Sequence, residues 1–334
     1  LRGDRVQRMA LYFTTLENDK IKCELCPHHC VLEDGQVGFC LARRNQDGAM
    51  ESLNYGQITS IALDPIEKKP LFHFNPSETI LSVGTFGCNM KCPFCQNWEI
   101  SQQVAPTKSV SPQQLVSIAH SRGSRGIAYT YNEPFVWYEF VLDTSRVAAK
   151  EGLYNVLVTN GMIEREPLKL LLQSIHAMNI DLKAFDEKTY ARLGGDLKAV
   201  LRTIEMCVKA NVHVEITTLI VPGVNDDLSQ LEKEFQWIST LDRSIPLHLS
   251  RYYPNYKYHM PATPPEFLIE SYRLAKKYLD FVYIGNLWDP EYEKTVCPNC
   301  GTVSIVRRGY DVEIVGLDAE GRCSKCGRKI VRML

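Results

Sequence analysis

From residue 79 onward, short runs of β-branched and aliphatic residues alternate with longer stretches whose apolar side chains recur every three or four positions. The short runs are "TILSVGT" from 79, "GIAYTY" from 126, "NVLVTNG" from 155, "AMNIDLKAF" from 177, "VHVEITTLIVPG" from 212, "IPLHLSRYYP" from 245 and "DFVYIGNL" from 280. Little polar alternation interrupts them, the pattern of strands covered on both faces. Between them lie helices with readable starts. In "SPQQLVSIAHS", Ser111 is the N-cap, Pro112 fills the first helical position, and Leu115, Ile118 and Ala119 share one face. "TPPEFLIESYRLAKKYL" predicts a capping box of Thr263 and Glu266 with Pro264 just inside it. Such repeated strand–helix alternation predicts a parallel sheet with helical crossovers. The region 76–290 is shorter than the ~250 residues of a full eight-unit barrel. A partial (β/α)6 TIM-type barrel is therefore expected, with a doubly wound open sheet as the alternative that periodicity leaves open.

Charge and composition exclude little. A formal net charge of −1 gives no overall attraction to nucleic acid or to a membrane surface. "LRGDRVQRMALYF" at the start has no apolar stretch able to act as a signal peptide or membrane span, so a cytoplasmic protein is expected. The cysteines change the picture. Eleven of twelve fall into three clusters: Cys23, Cys26, Cys30 and Cys40; Cys88, Cys92 and Cys95; and Cys297, Cys300, Cys323 and Cys326. Disulfide scaffolds belong to small secreted domains, whereas clustered C-x-x-C pairs in a long cytoplasmic chain point to metal. Cys207, inside "IEMCVKA", reads as a core thiol on a helix. The clusters also divide the chain into a Cys-rich metal-binding head (1–75), the barrel (76–290) and a tail (291–334).

Cys88, Cys92 and Cys95 follow the first strand of the barrel, and ligands of parallel βα folds gather at strand C-termini. Their C-x3-C-x2-C spacing can hold three irons of a [4Fe–4S] cluster and leave one iron open to a small molecule. A zinc knuckle completed by a distant ligand is the plainer reading. "CNMKCPFC", with an aromatic residue before the last cysteine, resembles the signature of the radical S-adenosylmethionine superfamily. That resemblance implies a cluster whose fourth iron is chelated by the methionyl group of S-adenosylmethionine. It also implies reductive cleavage of that molecule to a 5′-deoxyadenosyl radical, which abstracts hydrogen from a substrate. It carries cofactor-binding roles onto successive strand ends: Asn132 and Glu133 in "YTYNEP", Thr159 and Asn160 in "VTNG", and Asp181 and Lys183 in "DLKAF". Val221 in "TTLIVPGVND" and His248 in "LHLSRYYP" complete the set. Asn132 stands where the family usually has glycine. No catalytic residue is assigned beyond the cluster and cofactor sites.

"DLK" and the "VPG" turn look like the branch containing pyruvate formate-lyase activating enzymes. The head "CELCPHHCVLEDGQVGFCLARRN", "DPIEKKPLFHFNP" (64–76) and the terminal cysteine pairs resemble the AmmeMemoRadiSam system radical SAM enzymes over nearly the whole chain. Their name records association with AMME-region-like and Memo-like proteins, not a reaction, so it supplies no substrate. Glycyl-radical activation of a protein, or modification of a small molecule or RNA, is compatible with it, and a flavodoxin- or ferredoxin-type one-electron donor is implied. The head reads as a four-cysteine zinc site, with a second iron–sulfur cluster as the alternative. In the tail, C-x2-C pairs followed by glycine predict a zinc ribbon. Eight Lys/Arg against four Asp/Glu in 294–334 make it mildly basic, compatible with a nucleic-acid or protein partner. Glu67, Lys68, Lys69 and His73 are expected at the active-site mouth, at a junction of head and barrel, or on the surface. The rival function is a zinc-bearing nucleic-acid-binding or scaffold protein with a vestigial radical motif.

Overall fold

Eight strands form one sheet in strict chain order in the computed structural model, which describes residues 8–287 and 289–333. They are β1 (Ser60–Pro65), β2 (Thr79–Gly84), β3 (Gly126–Tyr129), β4 (Tyr154–Thr159), β5 (Ala177–Asp181), β6 (His213–Ile220), β7 (Leu247–Arg251) and β8 (Val282–Gly285). β1 pairs antiparallel with β2, and every later pair is parallel. The crossovers carry α1 (Pro112–Ser121), α2 (Tyr138–Lys150), α3 (Arg165–Leu171), α4 (Glu187–Arg192), α5 (Leu197–Lys209), α6 (Leu228–Leu241) and α7 (Pro265–Ala275). A doubly wound sheet reverses its strand order at a switch point. This sheet has no reversal, which is the order of a barrel left open between β1 and β8. The sheet also begins at Ser60, ahead of the boundary at 76 that the apolar runs suggest. The opening residues 1–7, read for a signal peptide, lie outside the described residues.

Alternate residues of each strand face opposite ways. Leu81, Val83, Ile127, Tyr129, Leu157, Met178 and Ile216 join the main core with buried residues of the helices. On the other face Ile80, Ala128, Val156 and Ala177 bury against Ile66, Leu71 and Phe74. The segment 64–76 plugs the barrel at the N-terminal ends of the strands, opposite the cysteine loop, burying Glu67, Lys69 and His73 and leaving Lys68 on the surface, 2.9 Å from Asp64. Its charges are matched inside, with Lys69 Nζ 2.6 Å from Asp64, and Ser77 N donating to Glu67 Oε1 at 2.8 Å. His73 Nδ1 donates to the Ile330 carbonyl at 2.7 Å and Arg332 N to the His73 carbonyl at 2.7 Å, so the plug binds the tail.

The head contains two three-stranded antiparallel sheets, and the tail a third. The head is fixed to the barrel by Arg43, whose Nη2 lies 2.6 Å from Glu139 of α2, both side chains being buried. In the tail, Arg307 turns inward: its Nη2 donates to the Phe72 carbonyl at 2.7 Å and its guanidinium lies 4.1 Å from the Phe72 ring centre. Its charge is therefore not part of an outward basic face. At α1, Ser111 and Gln114 form a reciprocal capping box. The capping box expected at Thr263 is absent. Its Oγ1 donates instead to the Ile220 carbonyl at 2.6 Å and accepts from Tyr252 N at 3.1 Å, and α7 starts at Pro265 without a side-chain cap.

Glu234 on α6 is fully buried, and burial pushes its carboxyl up to about 8, opposed by the Thr218 hydroxyl that donates to it. A group whose folded pKa is raised contributes stability that is complete below its unfolded value, 4.5, and lost as pH rises through the folded one. Glu234→Gln is expected to leave stability unchanged near pH 4 and to raise it by on the order of 4 kcal/mol at about pH 9. Urea midpoints of both chains at the two pH values read the effect; equal midpoints at pH 9 would contradict it.

Candidate active site

Cys88, Cys92 and Cys95 lie in the loop after β2, at the C-terminal mouth of the sheet. The loop is held by its backbone: Gly87 N donates to the Ile100 carbonyl and Lys91 N to the Leu193 carbonyl, each at 2.8 Å. Gly87 has φ +92, and a Cβ there would collide with the Cys40 carbonyl, so only glycine permits this approach of loop to head. Asn132 braces the same turn, accepting from Thr85 N at 3.0 Å and donating to the Gly87 carbonyl at 2.9 Å. Burial raises all three thiols, Cys92 to about 11.

Two charged groups flank the sulfurs. Beside Cys88 stands Glu133, just past the end of β3, with both oxygens engaged. Oε1 accepts from Thr159 Oγ1 at 2.6 Å and Phe135 N at 2.9 Å, and Oε2 from Asn160 N at 2.8 Å. Burial lifts its carboxyl to about 7 against these donors. Asn160 Nδ2 points to Cys88 Sγ at 3.7 Å and donates to Asn89 Oδ1 at 2.9 Å. Beside Cys92 and Cys95 stand Asp181, the last residue of β5, and Lys183 just past it, 3.0 Å apart. Burial works against the lysine charge, but Asp181 and the Cys92 sulfur outweigh it and hold its pKa above the usual value.

Val221 is buried after β6, its N–H donating to Asn225 Oδ1 at 2.7 Å. Asn225 Nδ2 donates to the Lys183 and Leu219 carbonyls at 2.9 and 2.8 Å, so one amide ties this turn to the strand end bearing Lys183. The sequence reading missed Asn225 and Asn89; the Asn-Asp after "VPGV" is the signal for the first. His248 stands apart from the thiols, lower in the barrel, with Nε2 donating to Glu215 Oε2 at 2.7 Å and the Phe72 ring 4.8 Å away. Glu215 was also missed, although a carboxylate inside an apolar strand run marks it.

The tail sulfurs close up. Cys297 and Cys326 are 3.5 Å apart and Cys300 and Cys323 3.6 Å, near the ~3.8 Å edge of a tetrahedron with 2.3 Å metal–sulfur bonds. The tail set is the one group among the described residues in which three or more Cys, His, Asp or Glu ligand atoms lie within 4.8 Å of one another. Cys23, Cys26, Cys30 and Cys40 instead surround a hollow shared with His28, Phe39, Arg43 and Asn89.

Residues 82–234 match the model of the Radical SAM superfamily. An uncharacterized protein of Methanocaldococcus jannaschii is 42% identical over 97% of this chain and 98% of its own. The pyruvate formate-lyase 1-activating enzyme of Escherichia coli is 26% identical over 57% of this chain and 81% of its own. Among solved structures, a domain of pyruvate-formate lyase-activating enzyme from Bacteroides vulgatus covers 48% of this chain and 99% of its own, at 20% identity and a TM-score of 0.43. No helix among the described residues is long and apolar enough to cross a membrane.

Proposed function

This chain belongs to the radical S-adenosylmethionine superfamily and is an enzyme of that class, related to pyruvate formate-lyase activating enzymes, and from that premise we propose that it cleaves S-adenosylmethionine reductively to abstract hydrogen from a protein partner. One observation carries the reading: a carboxylate and an ammonium both reach the three-thiol loop, Glu133 by Cys88 and Lys183 by Cys92 and Cys95.

The donor set fits the groups that the family implies. Three thiols too far apart to share one ion suit three irons of a cubane, each taking one. The zwitterionic methionyl end of the cofactor needs a carboxylate for its ammonium and a cation for its carboxylate, which Glu133 and Lys183 supply. A [4Fe–4S] cluster held by Cys88, Cys92 and Cys95 would supply the one-electron reduction of bound S-adenosylmethionine from which hydrogen abstraction follows. This chain's residues bind, orient and exclude water. Thr159 and Asn160 fix the Glu133 carboxylate, Asp181 holds Lys183 charged, Asn132 braces the loop, and Val221 offers an apolar face to the adenine. His248 enters as a positioning residue, itself held by Glu215. The tail set is read as structural zinc, and the electron donor as a flavodoxin or ferredoxin.

The relatives favour a glycyl residue of a protein as hydrogen donor, because a putative glycyl-radical enzyme activating enzyme of Methanocaldococcus jannaschii covers 64% of this chain at 26% identity. By family resemblance the AMME-region-like and Memo-like proteins are candidate associates.

Lys183→Ala is expected to weaken S-adenosylmethionine binding by about 1.5–3 kcal/mol while leaving iron content unchanged, since Lys183 ligates no iron. Equilibrium binding to the reconstituted proteins tests it, and equal affinity would sink the assignment. The substrate class is tested by deuterium uptake into 5′-deoxyadenosine from deuterated cell extract split into protein, RNA and small-molecule fractions. Label is expected from the protein fraction; label from either of the others alone would replace that class.

A further inference from the structure

We propose that Cys23, Cys26, Cys30 and Cys40 hold a second iron–sulfur cluster, not a zinc ion, and that it stands beside the radical loop as that loop's one-electron donor.

The first observation is spacing. A zinc ion draws four sulfurs to the ~3.8 Å edges of one small tetrahedron. The tail cysteines have that geometry, with sulfur pairs at 3.5 and 3.6 Å. The head also supplies four cysteines, yet no three of them lie within 4.8 Å of one another, and neither do those of the radical loop. All four head cysteines line one hollow, whose other walls are mainly apolar: Leu25, Leu32, Phe39 and Val136 among them. A cubane takes each thiolate on a different iron, so its ligand sulfurs stand apart around an inorganic core. Wide sulfurs around a hollow fit that core and not a single ion.

Electrostatics point the same way. Arg43 is buried at the hollow, and its Nη1 donates to Cys23 Sγ at 3.3 Å. Four thiolates around a cluster leave net negative charge, and a cation and N–H donor at one sulfur stabilises the reduced form. Glu139 keeps the guanidinium fixed in place.

The third observation is adjacency. The Cys40 carbonyl packs on Gly87, the residue before Cys88. Asn89, the residue after Cys88, lines the head hollow and accepts at its carbonyl from His28 Nε2 at 2.8 Å. Both neighbours of a radical-loop ligand therefore touch the head site. This explains His28, which donates to the loop backbone and leaves the four cysteines to ligate.

The electron-donor role rests on the reading of Cys88, Cys92 and Cys95 as the radical cluster; the head assignment does not. In the transfer, one electron leaves the reduced head cluster and reduces the oxidised loop cluster. No bond or proton changes hands, and a flavodoxin- or ferredoxin-type protein re-reduces the head.

The test is anaerobic reconstitution of the full chain with iron and sulfide. It compares wild type, C88A/C92A/C95A and C23A/C26A/C30A/C40A by iron, sulfide and zinc counts and by electron paramagnetic resonance after dithionite. The loop variant is expected to keep about four irons and four sulfides, one cubane, with about one zinc from the tail. Its reduced spectrum should show a single cluster, and wild type should show two signals broadened by mutual coupling. A loop variant without sulfide and with about two zinc per chain would overturn the head assignment. Two uncoupled signals in wild type would overturn the donor role. If the loop variant misfolds, Cys92→Ala gives the same counts with one thiol removed. Failure of the radical reading looks different: wild type would carry only the head's irons, and the head variant none.

Discussion

Cys92→Ala is expected to bring S-adenosylmethionine cleavage to background, with no 5′-deoxyadenosine above a protein-free control after dithionite reduction. Three thiolates are the fewest that hold a cubane while leaving one iron for the cofactor, so losing one removes the site, not a fraction of its rate. Cys92 is the most buried of the three and lies beside Lys183 and Asp181. The fold should persist. The loop is held by the backbone bonds of Gly87 and Lys91 and by Asn132, none of which uses the Cys92 sulfur. Circular dichroism and the tail zinc content should therefore match wild type. Product chromatography over a single turnover reads the result, and product at the wild-type rate would remove the loop from the mechanism. Lys183→Ala differs in kind: it costs affinity and leaves the cluster.

How much of this was legible in the sequence depends on the range of the interactions. The seven parallel strands showed as β-branched runs because burial on both faces is a local pattern. Their sequential order did not show, since register is set between segments tens of residues apart. Ser111 announced its helix because its partner, Gln114, is three residues away. Thr263 carried the same signal, but its hydroxyl was claimed by Ile220, a tertiary contact. Glu67, Lys69 and His73 read as mouth, junction or surface residues because what buries the segment is tertiary: Lys69 pairs with nearby Asp64, but His73 bonds Ile330 and Tyr283. The cofactor-site residues followed from strand-end position, and the structure gathers Glu133, Thr159 and Asn160 into one hydrogen-bonded group. Head and tail are alike as four-cysteine sets in the sequence, and their difference in sulfur separation appears only in the fold.

Glu215→Ala is expected to destabilise the fold by about 4 kcal/mol or more, because one buried carboxylate there satisfies four donors. Oε1 accepts from His73 N at 2.7 Å and His213 Nε2 at 2.9 Å, and Oε2 from Phe72 N at 3.0 Å and His248 Nε2 at 2.7 Å. Two of these are backbone amides of the plug, which have no water to turn to once the side chain is gone. Burial opposes the charge, yet His213 and His248 hold the carboxyl well below its ordinary range. A depressed pKa contributes stability that is present above the unfolded value of 4.5 and lost as pH falls through the folded one. Glu234 has the opposite sign, so the two buried carboxylates bracket the chain's stability from the acid and alkaline sides. Denaturant midpoints at pH 7.5 should therefore fall steeply for Glu215→Ala. Glu215→Gln, with a single acceptor oxygen, should fall between it and wild type. The loss should shrink as pH drops below 4.5, where the unfolded chain takes up a proton that the folded carboxylate still refuses. Because Glu215 touches the plug and His248 but none of the loop thiols, iron content of the folded fraction should stay at the wild-type value. A variant with wild-type midpoints would show that the plug holds without its carboxylate, and that His248 has another anchor.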